Sequence, residues 1–312
     1  MVIAVGARSS IGAVVESVWG TTPTTPALLE LPFTQFTVNK NLDKHSDTSI
    51  RGDRMLRPSI TGNTNVTGDL DVMYSPLNYD NLLQSLLNGT WATNVLKMPL
   101  SAGFVRTSFT IEHSQLDISE YFQYSGMIVD KLQLKLATNG IVTAKFTFMG
   151  KDSPTVTATS IDTVSGTGAN GFYTAAATTI PFVHNGGTFK EGGSAFGAFM
   201  SLDLTLENKN TANFSLGGST VRDFTANFFE VSGTATVFLE DASTYNKFIN
   251  STETSLEFTL TNGTNSHDYL IPNVRYHGAP KTVAGNGPVT MAMPFVGFYD
   301  ATSTSNIVIT RT

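Results

Sequence analysis

The sequence contains no cysteine, few charged residues and no long hydrophobic run. None of its 312 residues is a cysteine, which excludes disulfide bonds and thiolate metal sites. Charged residues make up 14% of the chain and the formal net charge is −6, which argues against a protein that binds nucleic acid by neutralising phosphates. No apolar run approaches the roughly 20 residues that a membrane-spanning helix needs, so we expect no membrane partner.

The motifs that carry enzyme chemistry are also missing. The five histidines are scattered without metal-ligand spacing, and no serine lies in a G-x-S-x-G turn. Residues 166–171 fit G-x-G-x-x-G, but they lie in a Ser/Thr-rich stretch rather than between a strand and a helix. We therefore predict no catalytic residue, no cofactor and no metal ion, and we expect the function to reside in the protein surface.

What the sequence does contain is the alternation of apolar and polar residues that is typical of β-strands. Leu132, Leu134 and Leu136 alternate with polar residues. Asn139-Gly140 follows, and residues 142–148 alternate again, which predicts a β-hairpin. Together with abundant turn residues, this pattern predicts an all-β fold built from β-sandwich or barrel domains.

Residues 66–89 predict a strand that leads directly into a short helix. Residues 66–72 alternate with period two, and Ser75-Pro76 would then begin the helix. Gly89 would end it. The helix would bury one apolar stripe, formed by Tyr79, Leu82, Leu83, Leu86 and Leu87.

The same order of elements recurs in the second half of the chain. Val231 and Gly233 match Val66 and Gly68 at an offset of 165 residues, and residues 243–249 predict a second helix. Residues 286–290 match the hairpin turn at 139–143 at an offset of 147. We therefore predict a duplication: an arm at 1–31, a β domain at 32–152, a Ser/Thr/Gly-rich linker or surface excursion at 153–190 and a second β domain at 191–312. Each domain carries one short flanking helix.

The segment WGTTPTTPALLELP, at the end of the first 31 residues, contains three prolines (Pro23, Pro26 and Pro32) and no regular period, so we expect an extended arm rather than a strand within a sheet. The arm is either a frayed terminus or a segment that docks on a neighbouring subunit. Its apolar residues favour docking: Val14, Val15, Val18, Trp19, Leu28 and Leu29.

Residues 43–63 form a long polar loop of mixed charge. Loops longer than about 12–15 residues tend to be functional or disordered, so the loop is either solvated or paired with another subunit. Its candidate contact residues are Asp43, Lys44, Asp47, Arg51, Asp53, Arg54 and Arg57. Asp69 and Asp71 lie on the polar face of the strand that follows.

These stretches resemble the major tail tube proteins of long-tailed bacteriophages. The resemblance is carried by WGTTPTTP, by LPFTQFTVNKNLD with the IRGDR loop, by VTGDLDVMYSPLNYDNLLQSLLNG, by SFTIEHSQLD and by GMIVDKLQLKLATNGIVTAKFTFMGKD. It covers residues from about 10 to 152, and the remainder looks like a more divergent copy of the same domain.

The resemblance implies a structural virion protein. Six such domains form a ring whose sheets line a channel, and stacked rings form the tail tube around a tape measure protein. The tube conducts phage DNA without binding it specifically, and tail terminator and tip proteins close its ends. With two domains per chain we predict a trimeric ring with pseudo-sixfold symmetry, and a hexamer is the alternative.

The resemblance also assigns roles to segments. The loop at 43–58 would contact the adjacent ring, the arm a neighbouring chain, and Asp69 and Asp71 the lumen. The protein would be assembled in the host bacterial cytoplasm and located in the virion tail. Two other readings stay open: a carbohydrate-binding or adhesin β-sandwich, and another virion structural protein such as a decoration protein.

Overall fold

A computed structural model describes residues 3–154, 156–164, 166, 168, 171–177, 180–183, 187–283 and 285–312. Over these residues the named strands pair antiparallel and are accompanied by two short α-helices, which confirms the predicted all-β class. The elements of the first half are β1 (Ser9–Val15), β2 (Leu29–Glu30), β3 (Gln35–Phe36), β4 (Asn39–His45), β5 (Ile60–Met73), α1 (Asp80–Leu87), β6 (Val95–Lys97), β7 (Phe109–Gln115), β8 (Glu120–Ala137) and β9 (Thr143–Gly150).

The second half repeats this pattern. Its elements are β10 (Phe189–Glu191), β11 (Ser194–Ala195), β12 (Phe199–Glu207), β13 (Thr211–Asn213), β14 (Asp223–Thr225), β15 (Glu230–Phe238), α2 (Ser243–Ile249), β16 (Thr254–Thr261), β17 (Ser266–Tyr276), β18 (Lys281–Thr282), β19 (Thr290–Gly297) and β20 (Val308–Arg311).

One antiparallel sheet runs through both halves of the chain, and we call it the inner sheet. In the first half, β3 and β4 pair with β5, β5 with β9 and β9 with β8. β8 then pairs with β12 of the second half. From there β12 pairs with β15, β15 with β19, and β19 with the end of β17 and with β18. The inner sheet therefore joins the two halves edge to edge.

Each half also has an outer sheet that covers the inner one. The first part of β8 pairs with β7, which pairs with β1 and so with β2. In the second half the first part of β17 pairs with β16 and β20, and β16 pairs with β10. β6 of the first half pairs with β20, so a strand of the first half extends the outer sheet of the second half. The apolar sides of the sheets meet in one continuous core.

The two halves repeat the same pairing register. Val66 lies opposite Gly150, and Val231 lies opposite Gly297. The sequence offsets of 165 and 147 residues therefore correspond to the same positions in three dimensions. The neighbouring strand pairs β7–β8 and β16–β17 each contain a register shift near the start of the first strand. The domain boundaries at 31, 152 and 190 stay a prediction.

The predicted hairpin around Asn139-Gly140 is confirmed by β8 and β9, with Asn139 in the left-handed region at a φ of 70°. The predicted helices are also present, but the predicted start of the first at Ser75 is wrong. Leu77 has a φ of 69°, which interrupts a right-handed helix, and the helix begins at Asp80. The helix ends at Leu87, and the left-handed residue that caps it is Asn88, with a φ of 48°, rather than the predicted Gly89.

The expectation that residues 1–31 stay out of the sheets is wrong for β1 and β2. β1 pairs with β7 along its whole length and with β2 on its other side, and Ile11 is fully buried. The prolines that favoured an extended arm begin only at Pro23, after β1 has ended. Described residues of the 153–190 segment pack on the first half: Thr157 pairs with Tyr121, and Phe182 is fully buried.

Candidate functional site: the assembly surfaces

The inner sheet ends in two exposed edges. Among the described residues, β3 and β4 pair only with β5 at one end, and β18 pairs only with β19 at the other. Every residue of β4 is exposed, as are Lys281 and Thr282 of β18. An exposed strand edge presents backbone donors and acceptors that can pair with another chain.

The junction between β8 and β12 shows how two edges of this type are joined. Leu134 lies opposite Leu204 and Leu136 opposite Leu202, and all four side chains are buried. A strand from each half thus contributes an apolar row to the core. The other side of the same strands is polar and faces away from the core.

That polar side of the inner sheet, which we call the polar face, contains Asp69 and Asp71 as the sequence predicted. The Lys145 ammonium lies 3.5 Å from Asp69 Oδ2 and 3.3 Å from Asp71 Oδ1, and Thr147 donates a 2.7 Å hydrogen bond to Asp69. Partial burial lowers the pKa of Lys145, but its hydrogen bond and attraction to Asp71, followed by those to Asp69, raise the pKa above the ordinary value.

The other lysines of the polar face also have acidic neighbours. Lys131 lies 3.8 Å from Glu207, and Lys135 lies directly opposite Asp203 in the register of β8 and β12. A solvent-accessible ion pair such as Lys131–Glu207 contributes about 0–1 kcal/mol to stability. The larger effect of the acidic neighbours is on the surface charge, because each lysine is offset by a carboxylate. The sequence pattern predicted the polar position of Asp69 and Asp71. It did not predict which lysines lie beside carboxylates, because the partners belong to strands that are distant in sequence.

The predicted loop at 43–63 is too long: β4 extends to His45 and includes Asp43 and Lys44, and β5 begins at Ile60, so the loop between these strands spans residues 46–59. It contains the other predicted charged residues, and two ion pairs form within it. Asp47 pairs with Arg51, and Asp53 pairs with Arg57. Hydrogen bonds from Ser49 lower the pKa of Asp47. The ion pairs found among the described residues do not include three of the predicted contact residues: Asp43, Lys44 and Arg54.

The same loop exposes large apolar side chains. Ile50 is 104% exposed, Leu56 87% and Met55 75%, relative to reference values. Sequence reasoning missed them because it considered only the charges of the loop, although their apolar character is readable in IRGDRML. Fully exposed apolar side chains on a projecting loop are typical of a contact surface.

The six predicted arm residues lie in different environments. Leu28 is fully buried in its own chain and offers no surface to a neighbour. Trp19 is partly buried: its indole donates a hydrogen bond to the Gly126 carbonyl at 3.1 Å and packs edge-on against Phe224. Val15 and Val18 are exposed, and Val14 and Leu29 are half-buried. Contact with a neighbouring subunit stays a prediction, carried by the exposed pair.

A buried polar cluster connects the halves behind the inner sheet. The Tyr74 hydroxyl lies 2.9 Å from His267 Nδ1 and 2.7 Å from the Tyr269 hydroxyl. His267 Nε2 lies 3.5 Å from Asp80 Oδ1, and Arg311 pairs with the other oxygen of Asp80. Burial lowers the pKa of His267 to about 4, so the imidazole is neutral near pH 7. Apart from Arg311, whose side chain is 27% exposed, the cluster is buried, and it links the halves through polar contacts.

Chemistry-bearing clusters are scarce in the part of the chain that the structure describes. No group of three or more His, Asp or Glu side chains there could hold a metal ion. No helix among the described residues is long and apolar enough to cross a membrane. The features that stand out are therefore the two sheet edges, the polar face and the projecting loop.

A comparison with protein-family models matches residues 6–301 to a family described as phage tail tube protein. A search of the curated proteins finds no match. The family match spans both halves, including the more divergent second copy and both edges of the inner sheet.

Proposed function

Because the chain belongs to the phage tail tube protein family, we propose that three copies close into a ring and that rings stack into the tube through which the phage genome passes. Membership of the family makes the chain a structural protein of the phage tail that self-assembles there. The ring, its symmetry and the conduction of DNA go beyond family membership and are our proposal.

The observation that carries the ring is the pair of unlike edges on the inner sheet. One end of the sheet presents β3 and β4, and the other presents β18. An interface between two different surfaces of identical chains is heterologous, and it produces a closed ring when the rotation between copies closes. A closed ring leaves no edge of the inner sheet unpaired.

Three copies fit the duplication better than six. Each chain supplies two copies of the same inner-sheet unit, already joined at β8 and β12. Three chains would therefore give six units around the axis, with alternating junctions within and between chains. A hexamer of chains would need twelve units and a wider ring, and it is the alternative.

The polar face suits the wall of a channel for DNA. Lysines on such a wall would bind phosphates and slow the passage of the genome. The lysines of β8 and β9 instead have carboxylate neighbours, with Lys145 between Asp69 and Asp71 as the clearest case. We propose that the polar face lines the lumen and that DNA passes along it without specific binding.

The loop at 43–58 supplies the contact between rings in this proposal. Its exposed Ile50, Met55 and Leu56 would be buried against the next ring, while Lys44 and Arg54 would pair with acidic groups there. Val15 and Val18 of the N-terminal segment would contact a neighbouring chain. We further propose a tape measure protein inside the growing tube, tail terminator and tip proteins at its ends, assembly in the host cytoplasm and no enzyme activity.

Negative-stain microscopy of the purified chain at high concentration tests this function. We expect rings and stacked tubes, and a population that stays monomeric at every concentration would contradict the proposal.

Arg54→Glu reverses one loop charge and should shorten the tubes without dispersing the rings, most strongly at low salt. Arg54→Lys keeps the charge and is the matched control, which should form tubes of ordinary length.

A further inference from the structure

We infer that neighbouring chains join by adding the free edge of β18 to the free edge of β3 and β4, in the register that β8 and β12 use within one chain. In this register Lys281 of one chain lies opposite Val38 of the next, and Thr282 lies opposite Thr37. The inference rests on the proposed ring and names the strands and the pairs that close it.

The register follows from the repeat of the inner sheet. β18 meets β19 as β8 meets β9: Lys281 lies opposite Met291, and Leu134 lies opposite Ala144, both at an offset of 147 residues. β18 therefore occupies, in the second half, the position that the end of β8 occupies in the first. The free edge of β18 is equivalent to the edge of β8 that pairs with β12.

The acceptor edge is equivalent in the same way. Phe36 lies opposite Leu70, and Leu202 lies opposite Ala235, which places β3 and β4 where β12 lies in the second half. The offset for the edge strand is 166 residues, and 165 for its partner. Within the chain Leu136 pairs with Leu202. The equivalent pair between chains is Val283 with Phe36.

The backbone groups at both edges point in the required directions. Thr37 N–H donates to Asp69 O at 2.9 Å, so the groups of Thr37 face inward and those of Val38 face the free edge. The Pro280 carbonyl accepts a hydrogen bond from Ala292 N–H at 3.1 Å, so the backbone groups of Pro280 face inward, toward β19. The N–H that proline lacks would therefore not have faced the free edge. By alternation the N–H of Lys281 faces outward, and the proline does not interrupt the junction.

Side chains complete the apolar part of the junction. Val283 is 71% exposed and Phe36 is half-buried, whereas the equivalent Leu136 and Leu202 are 4% and 2% exposed. Pairing would bury Val283 against Phe36 on the core side. An apolar residue exposed at the end of a free strand is otherwise unfavourable.

The polar side of the junction differs from its counterpart within the chain. Two charged pairs flank the junction within the chain, and each has an uncharged equivalent between chains. Lys131–Glu207 is replaced by Gly278 with Asn41, and Lys135–Asp203 is replaced by Thr282 with Thr37. The junction between chains thus carries no charge pair on the polar face. Ring closure should therefore depend little on salt, unlike the stacking of rings through the charged loop.

A cysteine pair tests the register, because the chain contains no cysteine of its own. Residues 37 and 282 form a non-hydrogen-bonded pair, in which Cα atoms lie about 4.5 Å apart, within the range for a disulfide. Thr37→Cys combined with Thr282→Cys should give, on oxidation of assembled rings, a covalent ring of chains that returns to monomer on reduction. The size of that product also counts the chains.

The control moves one cysteine by two residues on the same side of the strand. Asn39→Cys with Thr282→Cys displaces the thiols by about 7 Å along the strand, too far for a disulfide, and should stay monomeric on a denaturing gel. Rings that form with no disulfide in the matched pair, or with equal oxidation of the control, would overturn the register and leave the proposed function intact. Failure of the unsubstituted chain to form rings would overturn both.

Amide hydrogen exchange of the unsubstituted protein provides a second readout, which is independent of any folding defect in the variants. Assembly should protect the outward-facing amides of Val38, Lys281 and Val283. The amide of Thr37 is already hydrogen-bonded in the single chain and should change little. Protection confined to other strands would overturn the inference.

Discussion

His267 makes the folded chain sensitive to acid. It lies in the polar cluster between the halves, beside Tyr74, Tyr269, Asp80 and Arg311. Burial lowers its pKa from 6.5 to about 4, so between these values the unfolded chain binds a proton that the folded chain does not. The contribution to stability is complete above about pH 6.5 and is lost as the pH falls toward 4, by roughly 3 kcal/mol at most.

Urea unfolding between pH 7 and pH 4.5 measures this effect. The midpoint of the unsubstituted chain should fall with pH, and His267→Gln should fall less steeply because it removes the titrating group. His45→Gln changes an exposed histidine and should retain the original slope. Equal slopes for His267→Gln and the unsubstituted chain would contradict the prediction.

Gly68 allows the edge strand to approach β5 closely. A Cβ at this position would lie 2.4 Å from Val38 Cα and 2.6 Å from the Thr37 carbonyl, both of them backbone atoms that side-chain motion cannot relieve. We expect Gly68→Ala to lower the free energy of unfolding by about 1–3 kcal/mol. A Cβ at Gly197 meets nothing within 4 Å, so denaturation of Gly197→Ala should match the unsubstituted chain. Equal stability of both variants would exclude the close approach.

Asp69 and Asp71 should prevent Lys145 from binding DNA. Asp69→Asn with Asp71→Asn removes both carboxylates near the ammonium, and assembled rings should then bind a short DNA duplex at low salt and release it at high salt. Fluorescence anisotropy measures the binding. Asp241→Asn with Asp300→Asn removes the same charge from exposed loops and should not promote binding. Binding that is equal in the two variants would show that net charge, and not the polar face, is responsible.

At the scale of elements, the sequence predicted the strands and repeats that local residue patterns determine. Alternation located β5, β8 and β9, and the offsets of 165 and 147 residues found the duplication through Gly68 and its neighbours. The predicted start of α1 was wrong because Leu77 adopts a left-handed φ, which neither leucine nor its neighbours in the sequence indicate. The pairing of β1 with β7 joins Ser9 to Gln115, and no local pattern encodes a contact across that separation.

The same distinction applies to the assembly surfaces: local sequence shows some of their features, and others depend on the fold. The charges of residues 43–57 and the polar position of Asp69 and Asp71 were readable in the sequence. The lysine partners of the polar face and the two free edges were not, because they depend on which strands are neighbours in space. Sheet order is a property of the whole fold, and it required the structure.

The loop between β4 and β5 can be removed without changing the strands that carry it. His45 and Ile60 lie opposite each other at the end of the hairpin, so replacing residues 46–59 with Asn-Gly should close it with a two-residue turn. We expect rings to persist and tubes to be lost, because the exposed apolar residues of the loop are removed. Microscopy distinguishes the two, and tubes of ordinary length would show that the loop is not the contact between rings.

At the scale of the whole molecule, the chain is a pair of similar units with complementary free ends. The junction at β8 and β12 joins the units within a chain, and the pairing of β6 from the first half with β20 of the second half reinforces it. The two junctions differ in chemistry on the polar face, where charge pairs flank the junction within the chain and uncharged residues flank the junction between chains. A ring of three chains should therefore have two alternating kinds of junction and only approximate sixfold symmetry.

Averaged end-on views of the assembled protein by cryo-electron microscopy test this account most directly. We expect an open central channel surrounded by six similar lobes, with true threefold symmetry because neighbouring lobes come from different halves of the chain. A ring of twelve lobes, or particles without a channel, would contradict the account.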